Sequence, residues 1–350
     1  MSASGSRSDR QSSNRGSEVP EKATPGTADD PRLITQALLR EWSLPAPTGT
    51  KYSRGQVTVI GGARRSPGGA MLAGIAALRM GAGRLTISVA ESIAPHVAVA
   101  IPESGVIGLP ENEVGSVTGR GAAELLEKEL SRADAVLIGP GLDDAEGTVR
   151  LLEELIPILP PDLPVVLDAY AASSLPSLDE DCMSRLKGRV VVTPNDHELE
   201  FLVGGEGAGD SGGDGDETGD SEQSDEEADL PAGIRKVVEK YDAVVACSGW
   251  VGSADGFWQV ATGDTGLGTS GSGDVLAGAV AGLITRGAPL DQALVWGSTA
   301  MRPPATGSPR SSAGSATSPA SCWPSCRSYW RRCAETDRRQ LAEPVLVHGV

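Results

Sequence analysis

The chain has 350 residues and a formal net charge of −17, with 47 acidic side chains against 30 basic ones. So acidic a balance excludes binding nucleic acid through a broad basic face, and with no apolar run as long as a membrane span and no leader peptide ahead of the body the chain reads as a soluble cytoplasmic protein. Six lysines and 3% aromatic residues give a balance resembling the cytoplasmic proteins of salt-loving microbes, and the five cysteines form no metal or disulfide framework.

Residues 1–31 are Ser, Arg, Gly, Asp and Pro with almost no large apolar side chain, so a disordered N-terminal extension is expected. From residue 32 to about 300 short apolar runs alternate with longer helical segments. Val57-Thr58-Val59-Ile60 reads as a buried strand ending in Gly61-Gly62, and Pro67 to Arg79 as the helix after it. Gly81-Ala82-Gly83 stops that helix, and Arg84 to Ala90 is the next strand. Ala135 to Ile138, Val165 to Leu167, Val190 to Val192 and Ala243 to Cys247 repeat the pattern, with helices over 121–132 and 145–158. Residues 204–230 hold eleven carboxylates and no Lys or Arg, a solvated acidic insertion that leaves about −6 on everything else.

Continuous apolar strands alternating with helices predict an α/β fold, a central mainly parallel sheet covered by helices on both faces. Ligands of such sheets bind outside the carboxyl ends of the strands. That rim would gather Gly61, Gly62, Gly139, Gly141, Asp168, Thr193, Asn195 and Asp274. Gly268 to Gly273 is a Gly/Ser turn opening an apolar helix, and it ends in Asp274. It admits two readings: a plain loop with an N-cap Asp, or backbone N–H groups that hold a phosphate beside a carboxylate able to take a proton from a hydroxyl as it is phosphorylated.

The order Lys51-Tyr52-Ser53-Arg54-Gly55, Gly61-Gly62, Ala76-Ala77-Leu78-Arg79 with Gly81-Ala82-Gly83, Gly139-Pro140-Gly141, Asp168-Ala169, Thr193-Pro194 with Glu198, and Gly271-Ser272-Gly273-Asp274-Val275-Leu276-Ala277-Gly278 resembles the ADP- or ATP-dependent NAD(P)H-hydrate dehydratases. The block between Lys51 and Gly83 points to that family most specifically. The resemblance implies a ribokinase-like three-layer fold and repair of the S epimer of hydrated NADH or NADPH, with phosphate and AMP released from ADP, or phosphate and ADP from ATP. It implies Asp274 as general base and substrate contact; Ala70, Gly141 and Asn195 as further substrate contacts; Gly249, Gly271, Ser272 and Gly273 as nucleotide contacts. It also implies Mg²⁺ bridging the phosphates through unassigned ligands, a homo-oligomer, and a separate hydrate epimerase.

The chain departs from the family pattern at three places. Thr-Pro-His-Pro-Gly-Glu becomes Thr193-Pro194-Asn195-Asp196-His197-Glu198, placing Asn195 where a His is expected, with His197 two residues on. Leu-Lys-Gly becomes Cys247-Ser248-Gly249, which removes a cation near the phosphates, and Tyr170 follows Asp168-Ala169 in place of an acidic residue. These departures keep open a ribokinase-like kinase of a vitamin precursor and a nucleotide-binding protein without turnover. Residues 301–350 form an atypical tail dense in Pro, Ser, Arg, Cys and Trp. It reads either as a natural disordered tail or as a frameshifted stretch whose displaced frame would encode an amphipathic helix.

Overall fold

The computed structural model describes residues 23–46, 50–51, 53–204, 229–260 and 269–301. The 301–350 tail, apart from Met301, and nearly all of the acidic insertion lie outside the described residues. Ten strands among the described residues form one sheet: β1 (Arg32–Ile34), β2 (Gln56–Ile60), β3 (Arg84–Ala90), β4 (Ser104–Leu109), β5 (Ala135–Ile138), β6 (Val165–Leu167), β7 (Val190–Val192), β8 (Ala243–Cys247), β9 (Trp250–Ser253) and β10 (Gly256–Val260). Their spatial order is β1-β10-β9-β8-β7-β6-β5-β2-β3-β4. Every pairing is parallel except the two within β8-β9-β10.

Alternate residues of each strand feed two apolar layers, because successive side chains leave opposite faces of a strand. Ile60, Val136, Ile138, Val165, Leu167, Val190, Val192 and Val245 face one layer, closed by the helices Ala122–Leu130, Ala145–Leu155, Asp196–Val203 and Leu230–Tyr241. Val57, Val59, Leu137, Val166, Val191 and Ala246 face the other, under the helices Pro67–Met80, Ser272–Thr285 and Leu290–Met301. Three layers result, as the run pattern predicted. The helices Pro67–Met80 and Ser272–Thr285 meet through Ala73, Ala77, Gly278 and Gly282, and a Cβ on either glycine would strike the facing helix backbone. That close approach brings the amino ends of both helices to one point on the rim.

The edges differ from expectation. Residues 23–31, expected to lie outside the folded body, reach into it. Ala23 is fully buried and its carbonyl accepts from Trp258 Nε1 at 3.1 Å, while Gly26 and Phe257 exchange two backbone bonds of 3.0 Å. Trp42 then stacks on Trp258 with ring centroids 5.9 Å apart. The insertion also ends earlier than predicted, since Asp229 caps the helix that begins at Leu230. β1, β4, β9 and β10 have no counterpart among the predicted strands.

Candidate active site

The carboxyl ends of β2 and β5 are locked together first. Gly62 N donates to Pro140 O and Ala63 N to Gly141 O, both at 2.8 Å, and Ser66 Oγ donates to Gly141 O at 2.8 Å. Gly62 and Gly141 take φ of 72° and 74°, which a side chain would strain. The Pro67–Met80 helix starts directly over this lock. A Cβ on Gly69, in its first turn, would lie 2.7 Å from Gly141 N and 2.9 Å from Asp274 Oδ1. Gly69 thereby allows Asp274 to reach the β5 turn. The sequence reading missed it, although a Gly-Gly pair inside a helix start, where glycine is disfavoured, is a legible signal.

Asp274 sits in the first turn of Ser272–Thr285, whose N-cap Gly271 has φ 85° and no side chain to cap the turn. Val275 N makes the backbone bond to Gly271 O, so the N–H groups before it precede the helical ladder and carry the positive end of its dipole. Among the described residues a Cβ on Gly273 would meet nothing within 4 Å, and the same holds for Gly68 at the neighbouring helix start. Neither needs to be glycine to pack against the described residues. Gly268, the first residue of the predicted turn, lies outside the described residues.

Three carboxyls share the rim. Asp168 at the end of β6 is 4% exposed, and its Oδ1 accepts from Thr193 Oγ1 at 2.8 Å. Burial, reinforced by the charge of Asp274 and weakly by Glu198, pushes its pKa up to about 8, against the hydrogen bond from Thr193. Burial also raises Asp274, and burial with the charge of Asp274 raises Glu198. Ala169, next to Asp168, holds φ 49°, a conformation that costs a non-glycine residue about 1–3 kcal/mol. Desolvation makes each of these carboxyls hold a proton more strongly than it would in water, and Asp168 keeps its proton to about pH 8.

The remaining expected site residues fall as follows. Gly141 is half-buried in the rim, with Gly271 and Ser272, and Gly273 is exposed beside them. Gly249 is the second residue of the β8–β9 turn, φ 88°. Asn195 is exposed, and its Oδ1 accepts from Glu198 N at 2.8 Å while Glu198 Oε2 accepts from Asn195 N at 2.9 Å, so its oxygen serves a capping box. Ala70 is 0% exposed and its Cβ packs toward Gly62, in the core directly behind the rim. His197 is exposed in the helix start. The Lys51–Gly83 block divides: Gly61, Gly62 and the loop to Gly69 build the rim, whereas Gly83 N and Arg84 N both donate to Gly55 O at the opposite end of β2 and β3. Among the described residues no three His, Cys, Asp or Glu side chains group to hold a metal.

The sequence model of a family described as NAD(P)H-hydrate dehydratase matches residues 57–310. The chain belongs to that family. The ADP-dependent (S)-NAD(P)H-hydrate dehydratase of Xanthomonas campestris is 38% identical over 267 residues, 76% of this chain and 84% of that protein. The bifunctional NAD(P)H-hydrate repair enzyme Nnr of Salinibacter ruber is 32% identical over 80% of this chain, which spans 50% of that longer relative. Among solved structures, the ADP/ATP-dependent NAD(P)H-hydrate dehydratase of Bacillus subtilis co-crystallized with ATP/Mg²⁺ superposes with a TM-score of 0.60 at 21% identity, covering 85% of this chain and 97% of that one. A ribokinase-like superfamily protein of Enterococcus faecalis gives 0.60 at 21% identity over 77% and 85%. The fold is ribokinase-like, as family and sheet agree.

Proposed function

We propose that this chain dehydrates the S epimer of hydrated NADH and NADPH at the expense of ADP, releasing phosphate and AMP. The observation that carries the reading is Asp274, a desolvated carboxylate at an uncapped glycine-lined helix start, seated over Gly69 and the Gly139–Gly141 turn. The hydroxyl on C6 of the reduced ring attacks the terminal phosphorus while Asp274 takes its proton. N–H groups around Gly271 and Gly273 stabilise charge on the transferring phosphoryl group. The C6–O bond then breaks, phosphate leaves and a proton departs from C5, restoring the ring double bond. Mg²⁺ would be held through the nucleotide phosphates and would supply charge neutralisation during the transfer.

Gly249, Gly271, Ser272 and Gly273 are the nucleotide contacts of this reading; Gly141, Asp274 and the Asn195 amide are the substrate contacts. Ala70 keeps a supporting role behind Gly62. The relative named ADP-dependent supports ADP over ATP. We take the protein to work beside a hydrate epimerase, as a homo-oligomer in a salt-rich cytoplasm. No described helix is long and apolar enough to cross a membrane. The test is to incubate the full chain with hydrated NADH and ADP at high salt, following absorbance at the reduced ring and free phosphate. Recovery of NADH with one phosphate and one AMP is expected. A phosphorylated vitamin precursor, or nucleotide bound with no turnover, would replace the reading.

A further inference from the structure

Two segments far apart in sequence meet beside the nucleotide turn. Asp196, first residue of the Asp196–Val203 helix, offers one carboxylate oxygen to two donors: Ser248 Oγ at 2.6 Å and Cys247 Sγ at 3.2 Å. Cys247 pairs with Trp250 across β8 and β9, so Ser248 and Gly249 are the two central residues of a tight hairpin turn. Both stand at positive φ, 45° and 88°. Such turns favour Asn or Gly at both positions, and Ser lacks that tolerance. On its far side the turn is held by Val260 N donating to Gly249 O at 2.9 Å.

We propose that Asp196 is a positioning residue for the nucleotide turn: its carboxylate clasps Ser248 in a left-handed conformation and so sets where Gly249 meets the nucleotide. The proposal rests on the nucleotide reading of Gly249 and deepens it. The hydroxyl bond is charge-assisted and short, and one oxygen serving both Cys247 and Ser248 fixes the turn about two successive residues. The same Asp196 follows Asn195, whose capping box carries Glu198, so the clasp ties the substrate side of the rim to the nucleotide side.

The test measures ADP binding by calorimetry with Mg²⁺ present, and turnover separately, on four proteins: wild type, Asp196→Ala, Ser248→Gly and the double variant. Asp196→Ala is expected to weaken ADP about tenfold, the loss of one charge-assisted hydrogen bond. KM for the hydrate should hold within about twofold, and Asp196→Asn, which keeps the acceptor oxygen, should recover most of the loss. Ser248→Gly adopts φ 45° without help, so in that background Asp196→Ala should leave ADP affinity unchanged. An equal loss in both backgrounds would mean that Asp196 acts on the nucleotide directly and would overturn the clasp. So would Asp196→Ala binding ADP as wild type does. Wild-type protein that binds no ADP would instead overturn the nucleotide reading itself. If Asp196→Ala does not fold, comparing Asp196→Asn and Ser248→Ala keeps the question open to refutation: Ser248→Ala must weaken ADP and Asp196→Asn must not.

Discussion

The two ends of the sheet share crowded glycines but differ in the open ones beside Asp274. At the amino end, Gly55 and Gly83 are crowded by the protein itself: a Cβ on Gly83 would collide with the Lys51 carbonyl and lie 2.8 Å from Arg54 Cβ, and one on Gly55 would strike Thr285. At the carboxyl end both kinds occur: a Cβ on Gly61, Gly139 or Gly141 would strike backbone and one on Gly69 would crowd Gly141 and Asp274, whereas Gly68 and Gly273 meet nothing within 4 Å among the described residues. Crowded glycines let backbones approach; open ones leave a cradle that the described residues do not fill. The same letter in the sequence therefore marks close packing at one position and an open cradle at another.

The largest expected effect falls beside the open glycines. Asp274→Asn removes the proton acceptor and should lower kcat by about 10²–10⁴-fold, with ADP still bound. Single-turnover phosphate release checks this, and near-normal release would take the base role from Asp274. Next comes the buried neighbour. Asp168 holds its proton to about pH 8 in the folded chain and ionises near its ordinary 3.8 when unfolded. The folded state therefore binds more protons, and the stability this group contributes is full below about pH 4 and lost as pH rises to about 8. Asp168→Asn should gain in Tm over wild type progressively across that window, and a constant offset between the two melting curves would refute it.

Gly83→Ala probes a crowded glycine. Its Cβ meets backbone that cannot swing aside, so about 1–3 kcal/mol of stability should be lost, with ADP affinity of the folded fraction intact. Denaturant titration beside calorimetry reads both quantities. Gly273→Ala is the smallest in energy and the sharpest in sign. Helical alanine in open space should raise stability by about 0.5–1 kcal/mol while ADP binding weakens. A variant that loses stability, or binds ADP as before, would erase the contrast between crowded and open glycines.

Much of the central sheet was legible from the chain. β2, β3, β5, β6, β7 and β8 are continuous runs of β-branched and aliphatic residues covered on both faces, and such runs carry their own signal. β1, of three residues, and the β9–β10 hairpin were not, since Leu33 is half exposed and Arg32 meets Trp258 across more than two hundred residues of sequence. Residues 23–31 look disordered by composition because their partners, Phe257 and Trp258, sit on a distant edge strand. The Lys51–Gly83 block reads from sequence as one functional signature, yet half of it packs the far end of the sheet.

By itself the sequence determined the three-layer architecture, the family, and the glycine turn ending in Asp274, because apolar period and local turn chemistry are properties of neighbouring residues. Only the tertiary structure decided that Ala70 is core, that the Asn195 oxygen caps a helix, that Gly69 opens the way for Asp274, and that Asp168 keeps its proton to about pH 8. Those four depend on burial and on contacts between segments distant in the chain, where desolvation and close approach, rather than residue type, set the chemistry.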